Sequence, residues 1–239
     1  MVEIPPLPKK LAESKDQIIE GFTKSPGGEY SIELWHNYLD NDSDLLRICQ
    51  RFPTSIRRRD IEQLSIEAQS GGSAQIRTVF LASMIWGWGN RGLGLWQTKH
   101  MLNYDNLDTQ LIQASESIAN GMIVKAYIDF DVPYCGPAFF TKFFYFLGLG
   151  CQSTPLPLIL DSRVASSLRT LSAEEGWQPE LFVITGADGY VQSYVDGYWR
   201  YLQAIDYWSK QLGCRADNIE YFLFMMKNST RGKDITCSD

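Results

Sequence analysis

Apolar residues recur at helical spacing through most of the chain, while strand-like alternation is sparse. The clearest stripe runs through Val191, Tyr194, Val195, Tyr198, Tyr201, Leu202, Ile205, Trp208 and Leu212, and stops at Gly213, which suits a helix C-cap. Asp217-x-x-Glu220 has the form of a capping box and predicts a short helix through Phe224. Further helices are predicted over 57–69, 74–86, 106–119, 122–130, 138–149 and 162–174. Leu181 to Thr185 is the best strand candidate, and Pro/Gly loops are predicted at 25–28 and 70–73. The pattern reads as a mainly α protein.

One position breaks the pattern. Lys142 is the only charged side chain in the 29 residues between Asp131 and Asp161, and Phe139, Phe140, Phe143, Phe144, Tyr145 and Phe146 flank it. Aromatic rings folded over an ammonium strip its water, which disfavours the charged form and lowers the lysine pKa. A neutral amine is a nucleophile. The competing reading is a lysine whose stem lies on apolar surface while its tip reaches water. Pro133, Gly136 and Pro137 make a turn that cannot be helix interior, so a helix is predicted to begin near Ala138 with Lys142 in its first or second turn. There the positive end of the helix dipole acts in the same direction as burial.

Downstream, Pro155 and Pro157 end this helix, and Asp161 precedes Val164, Ala165, Leu168 and Leu171 at helical spacing. Asp161 is therefore a predicted N-cap. A carboxylate accepting amide hydrogen bonds at a helix start stays ionised even when half-buried, although an ordinary cap has the same sequence signature.

A hairpin containing Gly136, a helix carrying Lys142, and a Pro-rich crossover to Leu158-Ile-Leu-Asp161-Ser-Arg-Val-Ala together resemble the helix-hairpin-helix DNA glycosylases, in their 8-oxoguanine DNA glycosylase-like branch. The core of the resemblance spans about 128–168, with weaker similarity at Tyr201–Gly213, at Ile219–Phe224 and in the early helix Thr78–Trp86. It implies a helix-hairpin-helix glycosylase fold over 26–239, built as two helical subdomains with a cleft between them, behind a Pro-containing leader over 1–25. It also implies that Lys142 attacks C1′ of a damaged nucleotide and that Asp161, 19 positions later, supports the departing base. One departure concerns the hairpin: the family's Gly-x-Gly pair is replaced by Gly136-Pro137-Ala138, which touches phosphate-binding geometry more than the catalytic pair.

The chemistry has its own logic. Breaking an N-glycosidic bond develops positive charge on the sugar, which a fixed carboxylate stabilises, and an amine can trap the sugar as a Schiff base. As the resemblance implies, that imine permits strand cleavage by β-elimination. A base inside a duplex has to be extruded, and the extruded base needs rings on which to stack. Of the 31 aromatic residues, Phe146, one turn beyond Lys142, is the first expectation for the base pocket, followed by Trp86 and Trp88; core packing is the competing role for each. Gly136, Ala138, Asn90, Arg91 and Arg163 are the expected DNA contacts.

The formal charge of −6 argues against a nucleic-acid protein, because duplex binding draws on cations at phosphates. Local clusters at Arg57-Arg58-Arg59 and at Lys227, Arg231 and Lys233 can offset it. Cys49, Cys135, Cys151, Cys214 and Cys237 show no paired spacing and read as free thiols in a reducing compartment. No iron-sulfur cluster, zinc site or other cofactor is expected. The first residues lack the apolar core of a signal peptide and no stretch is long enough to span a membrane, so a cytoplasmic monomer, nucleoid-associated if bacterial, is expected.

Two motifs are read as decoys. Gly87-Trp-Gly-Asn-Arg-Gly92 fits a dinucleotide fingerprint but lacks the surrounding βαβ alternation, and is read as a helix-ending turn that lets a backbone approach. Asp40-Asn-Asp42-Ser-Asp44 imitates a calcium loop without its glycine and is read as a solvated turn or a cap. Three functions remain: a glycosylase acting on an oxidised base or on a hypermodified base such as those of viral DNA; a non-catalytic DNA-binding or damage-sensing module; and a helical protein-interaction module.

Overall fold

The computed structural model describes residues 4–23, 27–40, 42–177, 184–185, 191–192 and 195–231. Along the chain come α1 (Lys9–Glu13), α2 (Lys15–Thr23), β1 (Gly28–Glu29), α3 (Ile32–Leu39), α4 (Ser43–Arg51) and β2 (Ser55–Ile56). Then follow α5 (Arg58–Gly71), α6 (Ser73–Trp88), α7 (Gly92–Leu102), α8 (Leu107–Ala119), α9 (Ile123–Asp129) and α10 (Pro137–Gly150). The last elements are α11 (Ser162–Glu175), β3 (Ile184–Thr185), β4 (Val191–Gln192), α12 (Val195–Leu212) and α13 (Ala216–Arg231). The fold is mainly helical, as the periodicity predicts.

Two compact units divide the chain: Pro26–Pro157, and Leu158–Asp239 together with Met1–Ser25. In the first, α10 packs against α5, α6 and α8. Its sequence is apolar all the way round, and such a helix is stable only when neighbours cover every face. Phe140 to Gly148 are accordingly buried without a break. The two-residue strands β1 and β2 pair antiparallel, Gly28 with Ile56 and Glu29 with Ser55, and lie against α6. Gly28 lets this ribbon approach closely, because a Cβ there would sit 3.2 Å from the Trp86 carbonyl oxygen.

In the second unit α13 packs against α2, α11 and α12. The segment expected as a leader forms α1 and α2 there, with Leu11 and Ile18 in the core and the Trp208 indole N–H donating to the Pro5 carbonyl at 3.0 Å. α12 begins at Val195, and the front of its predicted stripe differs: Val191 lies in β4, which pairs with β3, while Tyr194 lies outside the described residues. Of the predicted strand, 184–185 is strand and 181–183 lies outside the described residues. α13 starts one residue before the predicted capping box and extends past Phe224 to Arg231. Asp217 thus lies inside the first turn, where its carboxylate accepts from the Arg215 guanidinium at 3.0 and 2.7 Å.

Both decoys resolve as local structure. Asp42 caps α4, accepting from the amides of Asp44 and Leu45, and Asp44 is buried against Arg77 and Thr78 rather than solvated. Gly89 ends α6 with a left-handed φ of 57°, and its carbonyl accepts from the Trp35 indole at 3.0 Å. The close backbone approach at this turn is that of β1, whose Glu29 carbonyl oxygen would lie 3.3 Å from a Cβ at Gly89.

Candidate active site

Lys142 lies in the second turn of α10. Gly136 is the N-cap, its carbonyl accepting from the amides of Phe139 and Phe140 at 2.8 and 3.1 Å, and Pro137 occupies the first helical position, where a missing N–H costs nothing. Thr141 ties its hydroxyl to the Pro137 carbonyl at 2.6 Å. Lys142 is 6% exposed, so the residue as a whole is buried, as the flanking aromatic residues predict. Its ammonium donates to the Ala138 carbonyl one turn back and lies 4.9 Å from the centroid of the Phe139 ring.

What makes room for that side chain is on α6. A Cβ at Gly87 would fall 3.0 Å from Lys142 Cδ and 3.3 Å from Cε, so the glycine is a slot for the lysine stem. Next to it, Trp88 stacks on Phe139 at 3.9 Å between centroids and 16° between planes. The Trp88 ring is backed by Gly94, where a Cβ would come within 2.2 Å of it. Trp88 Nε1, a donor with no acceptor capacity, is buried without a partner among the described residues. Burial pushes the Cys135 thiol up, with the Lys142 charge pulling weakly the other way, so this cysteine is a protonated, unreactive neighbour.

Other expected residues have different surroundings. Phe146 is 0% exposed and meets Trp86 edge-on at 5.5 Å, so it is a core ring, with Phe139 and Trp88 holding the place beside the lysine. Trp86 is also covered by the Arg58 guanidinium, 5.2 Å from its centroid. Arg58 is buried between Trp86 and Tyr145, which removes it from the expected basic strip; Asp60 turns back to accept from the Arg57 amide. The side chains of Lys227 and Arg231, and all of Lys233, lie outside the described residues. Asn90 accepts the Ser31 amide at 2.7 Å, and Arg91 is exposed at the start of α7.

Asp161 belongs to the other unit and is the N-cap of α11, as predicted. Its Oδ1 accepts from the amides of Arg163 and Val164 at 2.9 and 3.1 Å. The approach to it is fixed by two buried tyrosines of α12, Tyr198 and Tyr201, which donate to the carbonyls of Leu158 and Ile159 at 2.9 and 3.0 Å. Sequence reasoning assigned both tyrosines only to a core stripe, because periodicity reports which face is buried and not where a hydroxyl ends. Arg163 lays its guanidinium 4.6 Å over the Phe224 ring.

No helix among the described residues is long and apolar enough to cross a membrane. Among curated proteins and solved structures, none matches the chain. Residues 26–224 match the family described as "Putative 8-oxoguanine DNA glycosylase OGG-like protein". That span holds Lys142 with its Gly87 slot and the Asp161 cap, and it exceeds half the sequence; the chain belongs to this family of OGG-like DNA glycosylases.

Proposed function

We propose that the protein extrudes a damaged or modified base from double-stranded DNA, 8-oxoguanine-like in character, and excises it with Lys142 and Asp161. Lys142 Nζ attacks C1′ with its lone pair while the bond from C1′ to the base nitrogen breaks, and the base departs with that electron pair. The ionised Asp161 stabilises the positive charge that develops on the sugar. The amine loses its protons as the sugar ring opens to the imine, and loss of a C2′ proton then permits β-elimination of the 3′ phosphate, giving a second, lyase activity.

The observation that carries this reading is the lysine itself: the sole charged residue of a helix otherwise apolar but for Thr141, buried, with a glycine on the neighbouring helix shaped around its stem. Trp88 and Phe139 stack on each other beside it, and the partnerless Trp88 N–H suits an acceptor on a base that enters there and parts the two rings. Such a donor is costly to bury unless something pairs with it.

A panel of duplexes, each with one oxidised, alkylated or hypermodified base, tests the proposal by measuring free base released in single turnover. Release from at least one member, abolished in Lys142→Ala with the helical circular-dichroism spectrum unchanged, is the expected result. Salt-sensitive duplex binding with no release from any member would instead support a damage-sensing module.

A further inference from the structure

The hairpin between α9 and α10 does not use its glycine as a turn residue. Gly136 has φ −71°, with open space where a Cβ would stand, so any small residue fits there. The left-handed position is Tyr134, at φ 67°. A bulky residue is an outlier in that region, where glycine sits without strain. Strain kept in a backbone points to a use for the side chain that imposes it.

Tyr134 is 51% exposed, and its ring packs edge-on against two rings of α7, Trp96 at 5.1 Å and His100 at 5.4 Å. Trp96, itself 41% exposed, lies 4.0 Å from His100, whose Nδ1 is 2.8 Å from the Trp96 carbonyl oxygen. The three rings thus form an exposed aromatic surface on the hairpin that leads into the lysine helix. The stretches of chain that carry these rings are poor in acids. The chain is acidic overall, yet residues 68–104 contain no carboxylate and carry Arg77, Arg91 and Lys99, and residues 132–160 contain none and carry Lys142. Arg77 is engaged by Asp42 and Asp44, and Lys99 reaches Asp40 only at 3.9 Å; Asp131 opens the hairpin. Arg91 and Lys99 lie near opposite ends of α7, flanking Trp96 along the helix. Aromatic rings with cations and few acids suit a polyanion that carries flat, stackable groups, which is nucleic acid.

We propose that Trp96, His100 and Tyr134 form a second DNA-contact platform on which a nucleobase outside the excision site stacks, with Arg91 and Lys99 meeting the adjoining phosphates. The platform takes over the strand-holding role that the altered hairpin glycines leave open. It rests on the DNA glycosylase reading, and it assigns Tyr134 to grip rather than to chemistry.

Glycine is the residue the backbone at 134 prefers, so Tyr134→Gly separates the conformation from the ring. Fluorescence anisotropy gives the dissociation constant of the full chain for a duplex bearing a tetrahydrofuran abasic-site analogue. Tyr134→Phe is expected to bind within about twofold of wild type, and Tyr134→Gly and Trp96→Ala roughly 10- to 100-fold more weakly, the loss of one stacked base. The thermal midpoint of Tyr134→Gly should be no lower than that of wild type, which excludes unfolding as the cause. If Tyr134→Gly binds as tightly as wild type, the platform is wrong and the glycosylase reading stands; the exposed rings then belong to a turn or to a protein contact. A wild-type chain that binds no duplex overturns both.

Discussion

The helix that carries Lys142 and the helix that Asp161 caps solve opposite problems. α10 holds a buried lysine in a slot made by Gly87 on α6 and beside the Phe139 ring, its tip donating to the Ala138 carbonyl. The start of α11 holds an anion where backbone amides already satisfy one of its oxygens, in the arrangement common to helix caps. The lysine's surroundings are unusual for a structural residue, whereas the aspartate's surroundings are what structure alone would produce. The proposal for Lys142 therefore starts from its burial, and that for Asp161 is tested by substitutions that keep the cap and remove the charge.

Asp161→Asn does that most sharply. Asparagine caps helices about as well as aspartate, so the thermal midpoint should barely move. Base release should slow by about 100-fold or more if the carboxylate stabilises a charged sugar, the scale of losing one electrostatic contact in a transition state. Single-turnover release at wild-type rate would reduce Asp161 to a cap.

Gly87→Ala probes the other side of the comparison without touching α10. Alanine favours the helix by about 1 kcal/mol over glycine, so the fold should be retained. The new methyl forces the lysine stem aside by a few tenths of an ångström, and base release is expected to fall about tenfold, since small misplacements of a reacting group are costly. Equal rates would show that the slot does not position the amine.

The smallest effect is expected at Tyr201→Phe. Removing the hydroxyl leaves the Ile159 carbonyl short of one buried donor, at a cost of about 1 kcal/mol in denaturant unfolding, with a minor slowing of base release through a looser approach to Asp161. A stability loss with no change in release would confine Tyr201 to the core.

The long helices were legible because their apolar periodicity is sustained: α5, α6, α8, α10 and α11 fall within a few residues of their predicted bounds, as does the short α9 between Met122 and Phe130. The short ones were not. α3 has only 8 residues, α7 opens with Gly92 and Gly94, and α1 and α2 lie in a segment whose prolines imitate a tail, so in each the signal is too brief or too interrupted to stand out. At the candidate site, the isolation of Lys142 and the cap at Asp161 were visible in the residue order. Gly87 as a slot, Trp88 as the ring stacked on Phe139, Phe146 as core and Arg58 as an aromatic-bound interior cation were not. These depend on which faces of separate helices meet, and spacing along one helix carries no information about its neighbour.

The central claim is that the Lys142 amine bonds covalently to a sugar carbon. Incubating the protein with a duplex whose modified base it releases, reducing with borohydride, and mapping the cross-linked peptide by mass spectrometry tests it directly. The expected result is a stable protein–DNA adduct at Lys142, absent from Lys142→Ala and retained at lower yield by Asp161→Asn. Base release with no adduct, or an adduct at another amine that survives in Lys142→Ala, would contradict it.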